Sequence, residues 1–175
     1  MSTQNRNPEN TNYLQPTKFQ VFFPKITTVT YFCQEVNVPG LHANNPTQAT
    51  PFRDLPRPGD KLQYGDFSIE FIIDEELWAW QVLHDWLRGY TFPCSFDEYR
   101  NMNRDSIISM LSLQPQYCDA ELQILSSLNN PKVKIKFLNL FPVSLSEVKF
   151  NTQQSADTIL TAVATFKYHL FNIAR

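Results

Sequence analysis

Glycine is scarce in this chain, with four residues in 175, too few to build the backbone cradle that a phosphate group needs. No P-loop, Gly-x-Ser-x-Gly or His-Glu-x-x-His pattern occurs, so the motifs that announce nucleotide hydrolysis, serine hydrolysis or zinc proteolysis are missing. Cysteine is limited to Cys33, Cys94 and Cys118. An odd number without Cys-x-x-Cys spacing excludes a closed disulfide framework and a zinc knuckle, and fits folding in a reducing compartment. Charged residues make up 18% of the chain, below the usual quarter, and the net charge is −2; that balance removes the bulk attraction that non-specific nucleic-acid or anionic-membrane binding requires. No run approaches the roughly 18 to 20 apolar residues of a membrane helix, and the polar, Asn-rich start lacks the basic and apolar regions of a secretion signal. The expectation is a protein soluble when synthesised, without a membrane partner.

What the sequence has instead is rings: 14 Phe, 7 Tyr and 3 Trp, more than one small core consumes, so part of that apolar area is expected to face partners. The length fits one domain able to bury a core without metals or disulfides. Residues 1–15 carry almost no apolar periodicity and read as a flexible arm, or as a strand that orders late; residues 16–175 read as a single β domain. Lys18–Phe23 and Thr28–Val36 are rich in Phe, Val, Thr and Tyr and read as paired strands, with Val29, Tyr31 and Cys33 on one face of the second.

Residues 39–62 contain five prolines and two glycines without a continuous period, which predicts a long, stiffened loop. So long a connection calls for a function, and its mixture of Phe52, Arg53, Asp54, Leu55, Arg57, Asp60 and Lys61 suits a contact surface; the plain alternative is a mobile surface loop. Residues 66–73 alternate cleanly, placing Phe67, Ile69, Phe71 and Ile73 on one face. A helix is predicted over 74–88, with Asp74 as N-cap, Glu75 and Glu76 in its first turn, Arg88 in its last and Gly89 as its stop. Its apolar stripe of Ala79, Val82, Leu83, Trp86 and Leu87 must lie on a sheet. Further strands are expected near 107–113, 118–125, 132–138, 143–150 and 158–172, with a turn at Ser127–Pro131 joining a hairpin. The last strand, unusually long, could reach into a neighbour's sheet. No internal repeat is present.

Nothing in this pattern converges on chemistry. His42, His84 and His169 stand at no metal-ligand spacing, and His84 and Asp85, adjacent on a helix, point about 100° apart. Cys94 and Cys118 have no basic neighbour in sequence to activate a thiol, so packing is the default for both. Trp78, Trp80 and Trp86 at helical spacing suit a core or interface better than a sugar or base platform. No catalytic residue, metal or cofactor is expected. An apolar-ligand-binding β-barrel is the competing class of function, and an enzyme a distant third.

The order of three stretches resembles the tail-tube protein family of contractile-tailed bacteriophages. They are Phe19-x-Val21 followed by Tyr31–Val36 and Val38-Pro39-Gly40; then Pro58-Gly59-Asp60, the strand Phe67–Ile73 and the Trp/Leu helix; and finally Phe141–Phe150 with Phe166-Lys167-Tyr168. Together they span residues 16–172. The resemblance implies a mainly β subunit, a two-sheet sandwich or barrel-like fold with one flanking helix. It further implies six copies closing a ring, rings stacked through the 39–62 loop into a tube that conducts DNA at ejection, and partners in the tail sheath and the baseplate or neck. The implied location is the virion tail, after assembly in the host cytoplasm. The segments 1–15 and 91–104 depart from the simplest pattern, leaving open a repeated tube subunit or a specialised ring that initiates or terminates the tube. A conduit for DNA favours a neutral or acidic lumen, since a basic lining would hold phosphates.

Overall fold

The computed structural model describes residues 12–24, 26–98, 100, 116–153, 155 and 158–174. The strand expected at 107–113 lies outside them, as does most of the 1–15 arm. Seven strands form one sheet: six follow in the order β1(Phe19–Phe22), β8(Cys118–Leu125), β9(Pro131–Leu145), β10(Thr161–Lys167), β7(Phe67–Ile72), β2(Cys33–Val36), and off this path β11(Leu170–Ala174) also pairs β9. All pairings are antiparallel. The fold is mainly β, as the alternating patterns predict.

β9 is the hinge of this arrangement. Sequence reading divides it in two and extends the second piece to Phe150; it is a single 15-residue strand ending at Leu145. Its first half pairs β8 and β11 and its second half pairs β10, while Asn139, with φ 53°, sits where the β8 register shifts between Cys118 and Ala120. A residue in the left-handed region bends the strand without breaking it, and Asp119 Oδ1 accepts the Asn139 N–H at 3.0 Å. The long final strand predicted at 158–172 is likewise two, interrupted at Tyr168–His169, so that β10 and β11 run in succession along the same side of β9.

The sheet curls so that its apolar faces meet. Phe67, Ile69 and Phe71 are buried as the alternation of β7 requires, and the Phe67 ring lies 4.4 Å from Phe137 of β9. Phe23, just past β1, stacks on Phe166 of β10 at 5.6 Å, tying the first strand of the path to its middle. No buried polar side chain lies in this core among the described residues, so it is an aromatic and aliphatic interior held by area rather than by polar networks.

Two expectations for local structure fail instructively. Residues Thr27–Phe32 form a short helix, α1, not the start of a strand. β-propensity reports packing on a pleated face, and here Val29 is instead fully buried under the link between β1 and β2, while Thr30 Oγ1 donates to the Ile26 carbonyl and accepts from the Phe23 N–H, both at 3.2 Å. The long helix, α2, runs Trp78–Thr91 rather than 74–88. Asp74 does cap it, but from four residues ahead: its carboxylate accepts the N–H groups of Trp78 and Ala79 at 3.0 and 3.1 Å across a turn that includes Leu77 at φ 57°. Glu75 and Glu76 fall in that turn, outside the helix. Gly89 does not stop α2; it is buried on the packed face, and the helix ends at Phe92, whose φ of 36° provides the left-handed cap. Ala79, Leu83 and Trp86 are buried as the stripe predicts. No described helix is long and apolar enough to cross a membrane.

Candidate functional site

The predicted loop at 39–62 is an arm with secondary structure of its own. β3(Leu41–Ala43) pairs β6(Leu62–Tyr64), and farther out β4(Thr47–Gln48) pairs β5(Leu55–Pro56), making two short ribbons end to end. The prolines that disguise this in sequence explain it in structure: lacking N–H groups, they restrict each ribbon to two or three pairs. The ribbons are joined by backbone hydrogen bonds, Arg57 N–H to the Pro46 carbonyl and Gly59 N–H to Asn44, both at 2.8 Å, with Asn44 N–H to Lys61 at 3.0 Å. Gly59 is indispensable to this closeness, because a Cβ there would lie 2.2 Å from the Asn44 carbonyl oxygen.

The arm is rooted in the core. Asn37 bridges two backbone groups, accepting from the Ser68 N–H at 2.7 Å and donating to the Asp66 carbonyl at 3.0 Å. Tyr168 donates its hydroxyl to the Gly65 carbonyl at 3.0 Å, and Tyr64 packs edge-on against Tyr168 and Phe171. Burial, with smaller contributions from Tyr64 and Asp66, pushes the Tyr168 phenol up to about 12.

All seven predicted contact residues lie on this arm. Phe52, Arg53 and Asp54 form the tip, where Phe52 is 98% exposed and Thr50 closes the turn through hydrogen bonds with Arg53. Leu55 belongs to β5, and Arg57 is held by Gln48 Oε1 at 3.0 Å. Asp60 and Lys61 precede β6, on the shaft, so the set is spread along the arm and does not converge on one point. Sequence reading misses Leu41, Leu62 and Tyr64, exposed rings and branches of the ribbon nearest the core; their alternation within three-residue strands is too short to register as a period.

Two of the residues set aside as chemically inert have neighbours that the sequence does not reveal. Cys94 does have a basic neighbour, because the left-handed turn at Phe92 brings Arg88 Nη2 to 3.6 Å from its sulfur. That guanidinium is committed to Glu98, whose Oε1 takes Arg88 Nε at 2.5 Å. His84 and Asp85 do meet, at 3.0 Å, but on an exposed helix face with His84 stacked on Trp80. Burial pushes the Cys33 thiol up to about 11, which suits packing and not attack. No group of three metal-ligating side chains occurs among the described residues.

Beside the arm, the sheet has open borders. β1 and β2 end the six-strand path with no outer partner strand among the described residues, and a cleft of about 450 Å³ separates them, lined by Phe19, Val21, Thr27, Thr30, Tyr31 and Cys33. β11 has no partner on its far side among the described residues. Strand edges left open in this way present unpaired N–H and C=O groups on which another strand can pair.

Comparison with known proteins agrees with that geometry. The chain is 26% identical over 170 residues to the tail tube terminator protein of Enterobacteria phage T4, covering 94% of this chain and 90% of the relative. Among solved structures, the tube-terminating cap of the anti-feeding prophage shares the fold with a TM-score of 0.65 at 12% identity, across 99% of both chains. The sheath–tube complex of an extracellular contractile injection system matches with a TM-score of 0.57 at 11% identity, over 93% of this chain and 91% of that one. The model of the phage tail tube protein family matches residues 8–174. Read with the arm and the unfinished sheet, that match places the chain in the phage tail tube protein family, as a structural tail component and not an enzyme.

Proposed function

We propose that this protein forms the ring that ends a phage tail tube: six copies joined side by side, with their arms contacting the adjoining ring. The observation that carries the reading is the sequence relation to a tube terminator over 94% of this chain and 90% of that one. The physical support is the division of labour in the subunit. An arm with polar backbone satisfied and side chains outward is formed before it meets a partner, which lowers the ordering cost of stacking. Open strand edges invite pairing, and a closed ring uses them without unlimited growth. Phe52, Arg53, Asp54, Leu55, Arg57, Asp60 and Lys61 are proposed as the inter-ring contact. The remaining partners are the tail sheath and the baseplate or neck, and DNA passes through the lumen without sequence-specific contact, in keeping with a net charge of −2. The place of action is the virion tail, reached by assembly in the host cytoplasm, with residues 1–15 as an arm separate from the domain at 16–175.

A repeated tube subunit is the second reading, favoured by the same exposed arm, since every stacked ring needs such a contact. Copy number separates the two. Quantitative mass spectrometry of purified particles is expected to give about six copies per tail, whereas a number scaling with tail length would identify the repeated subunit. Electron microscopy of particles lacking the protein is expected to show tubes of uneven length; a total absence of tubes would overturn the terminal-ring reading.

A further inference from the structure

The two lateral borders of the subunit differ in shape and charge, and they are complementary. On one side β11 projects past the core as a flange. Its sequence, Leu-Phe-Asn-Ile-Ala, contains no charge and no proline, the usual devices that blunt an edge strand, although all five residues pair with β9 on the inner side. Ile173 is set opposite Ile135, which is buried, and so shares its core-facing side, yet Ile173 is 58% exposed because the core ends short of it. On the outward face behind the flange stands a row of lysines, Lys132, Lys134 and Lys136. Glu121 alone serves two of them, at 3.4 Å from Lys134 and 3.8 Å from Lys136.

The second border, at the free edge of β2, is concave and acidic. There the cleft between β1, α1 and β2 is floored by the buried Val21 and presents the 82% exposed Tyr31. A register shift between Cys33 and Glu35 sets Glu35 directly across from Glu70 on the outward face of β2 and β7. Two like charges directly opposed destabilise a strand pair, and neither carboxylate has a cation partner among the described residues.

Resting on the ring reading above, we propose that the ring forms head to tail, with β11 of one copy adding to the β2 edge of the next, so that Ile173 enters the neighbour's cleft. The lysines behind the flange then neutralise Glu35 and Glu70. Across such a junction, Glu35 and Lys136 stand two strand spacings apart, roughly 9.5 Å. The intervening outward positions on β11 are Asn172 and Ala174, opposite Lys136 and Lys134, short enough for the long side chains to reach over. The contact is heterologous, so its repetition closes a ring.

The test uses two full-length variants with inverted borders. One carries Glu35→Lys and Glu70→Lys. The other carries Lys132→Glu, Lys134→Glu, Lys136→Glu and Glu121→Lys, which keeps an intramolecular ion pair available. Circular dichroism first establishes that each is folded, and native mass spectrometry then measures assembly. Each variant alone is expected to assemble at least roughly tenfold more weakly than the parent, because its two borders carry like charge. An equimolar mixture is expected to regain the parental ring with the two variants alternating. Assembly of either variant alone at parental strength, or a mixture that stays dispersed, overturns this pairing of borders while leaving the ring intact as a reading. A parent chain that is monomeric at all concentrations, and absent as a ring at tube ends, overturns the ring reading and this inference together.

Discussion

The sheet domain and the arm solve the same problem, holding a backbone in one shape, by opposite means. In the domain, side chains do it: Phe67, Phe137 and Phe166 are fully buried and in ring contact, and the backbone follows their packing. In the arm, the backbone does it: two short ribbons close through main-chain hydrogen bonds and prolines, and nearly every side chain points outward. The consequence is a separation between residues that make the fold and residues left over for assembly. Substitutions should therefore divide cleanly into those that melt the protein and those that disarm it.

The largest break expected from the domain side is Phe137→Ala. This ring touches Phe67, Tyr168 and Phe171 and has no exposed surface. Its loss removes apolar burial and leaves a cavity, for about 3 to 5 kcal/mol of destabilisation. Chemical denaturation should show that loss as a lower midpoint with an unchanged slope; a change below 1 kcal/mol would mean that the aromatic cluster does not hold the sheet together.

Next in size is the junction between the two regions. Tyr168→Phe removes the hydrogen bond to the Gly65 carbonyl, worth about 1 kcal/mol near neutral pH. The same residue gives the protein an alkaline sensitivity. Its phenol ionises at about 12 in the fold against about 10 when unfolded. A raised folded value means stability that is complete below pH 10 and is lost as pH climbs through 12. Melting temperatures of the parent should accordingly fall more steeply over that window than those of Tyr168→Phe; parallel curves would show that the phenol is not held by burial.

How much of this was legible in the sequence follows the same division. β7 and the buried face of α2 announce themselves because Phe67, Ile69 and Phe71, or Ala79, Leu83 and Trp86, repeat at the period of their element. α1 is hidden because Thr27–Phe32 has the composition of a strand, and only the tertiary position of Val29 decides otherwise. The seven residues proposed as contacts stand out by composition, but the arm's ribbons do not, since pairings such as Leu41 with Tyr64 are fixed by turns and not by periodicity. The bend at Asn139 and the flange at β11 depend on strand partners distant in the chain, which no local window contains.

On the arm side, Gly59→Ala is expected to cost less globally and more locally. The added methyl cannot fit 2.2 Å from the Asn44 carbonyl oxygen, so the two strands of the arm must part there. Hydrogen exchange should rise at Asn44, Arg57 and Gly59 while the amides of β7 and β10 keep their protection. Exchange that rises equally in both regions would show that the arm and the domain unfold as one unit, and the contrast between them would fail.

The smallest effect on stability belongs to Phe52→Ala, and it is the sharpest test of the comparison. A ring that is 98% exposed contributes nothing to its own fold, so the melting temperature should stay within what a surface change produces, about 0.5 kcal/mol in either direction. Stacking is another matter. A fully exposed aromatic at the tip of a preformed hairpin is the kind of anchor that fills a partner's pocket, where truncation costs about 2 kcal/mol or more of binding. In a pull-down of purified tubes, the variant should bind more than tenfold more weakly than the parent, with lateral ring formation unaltered. If Phe52→Ala binds tubes as the parent does, the tip is not the contact, and the burden moves down the shaft to Leu41, Leu62 and Tyr64, whose exposed side chains then become the ones facing the adjoining ring.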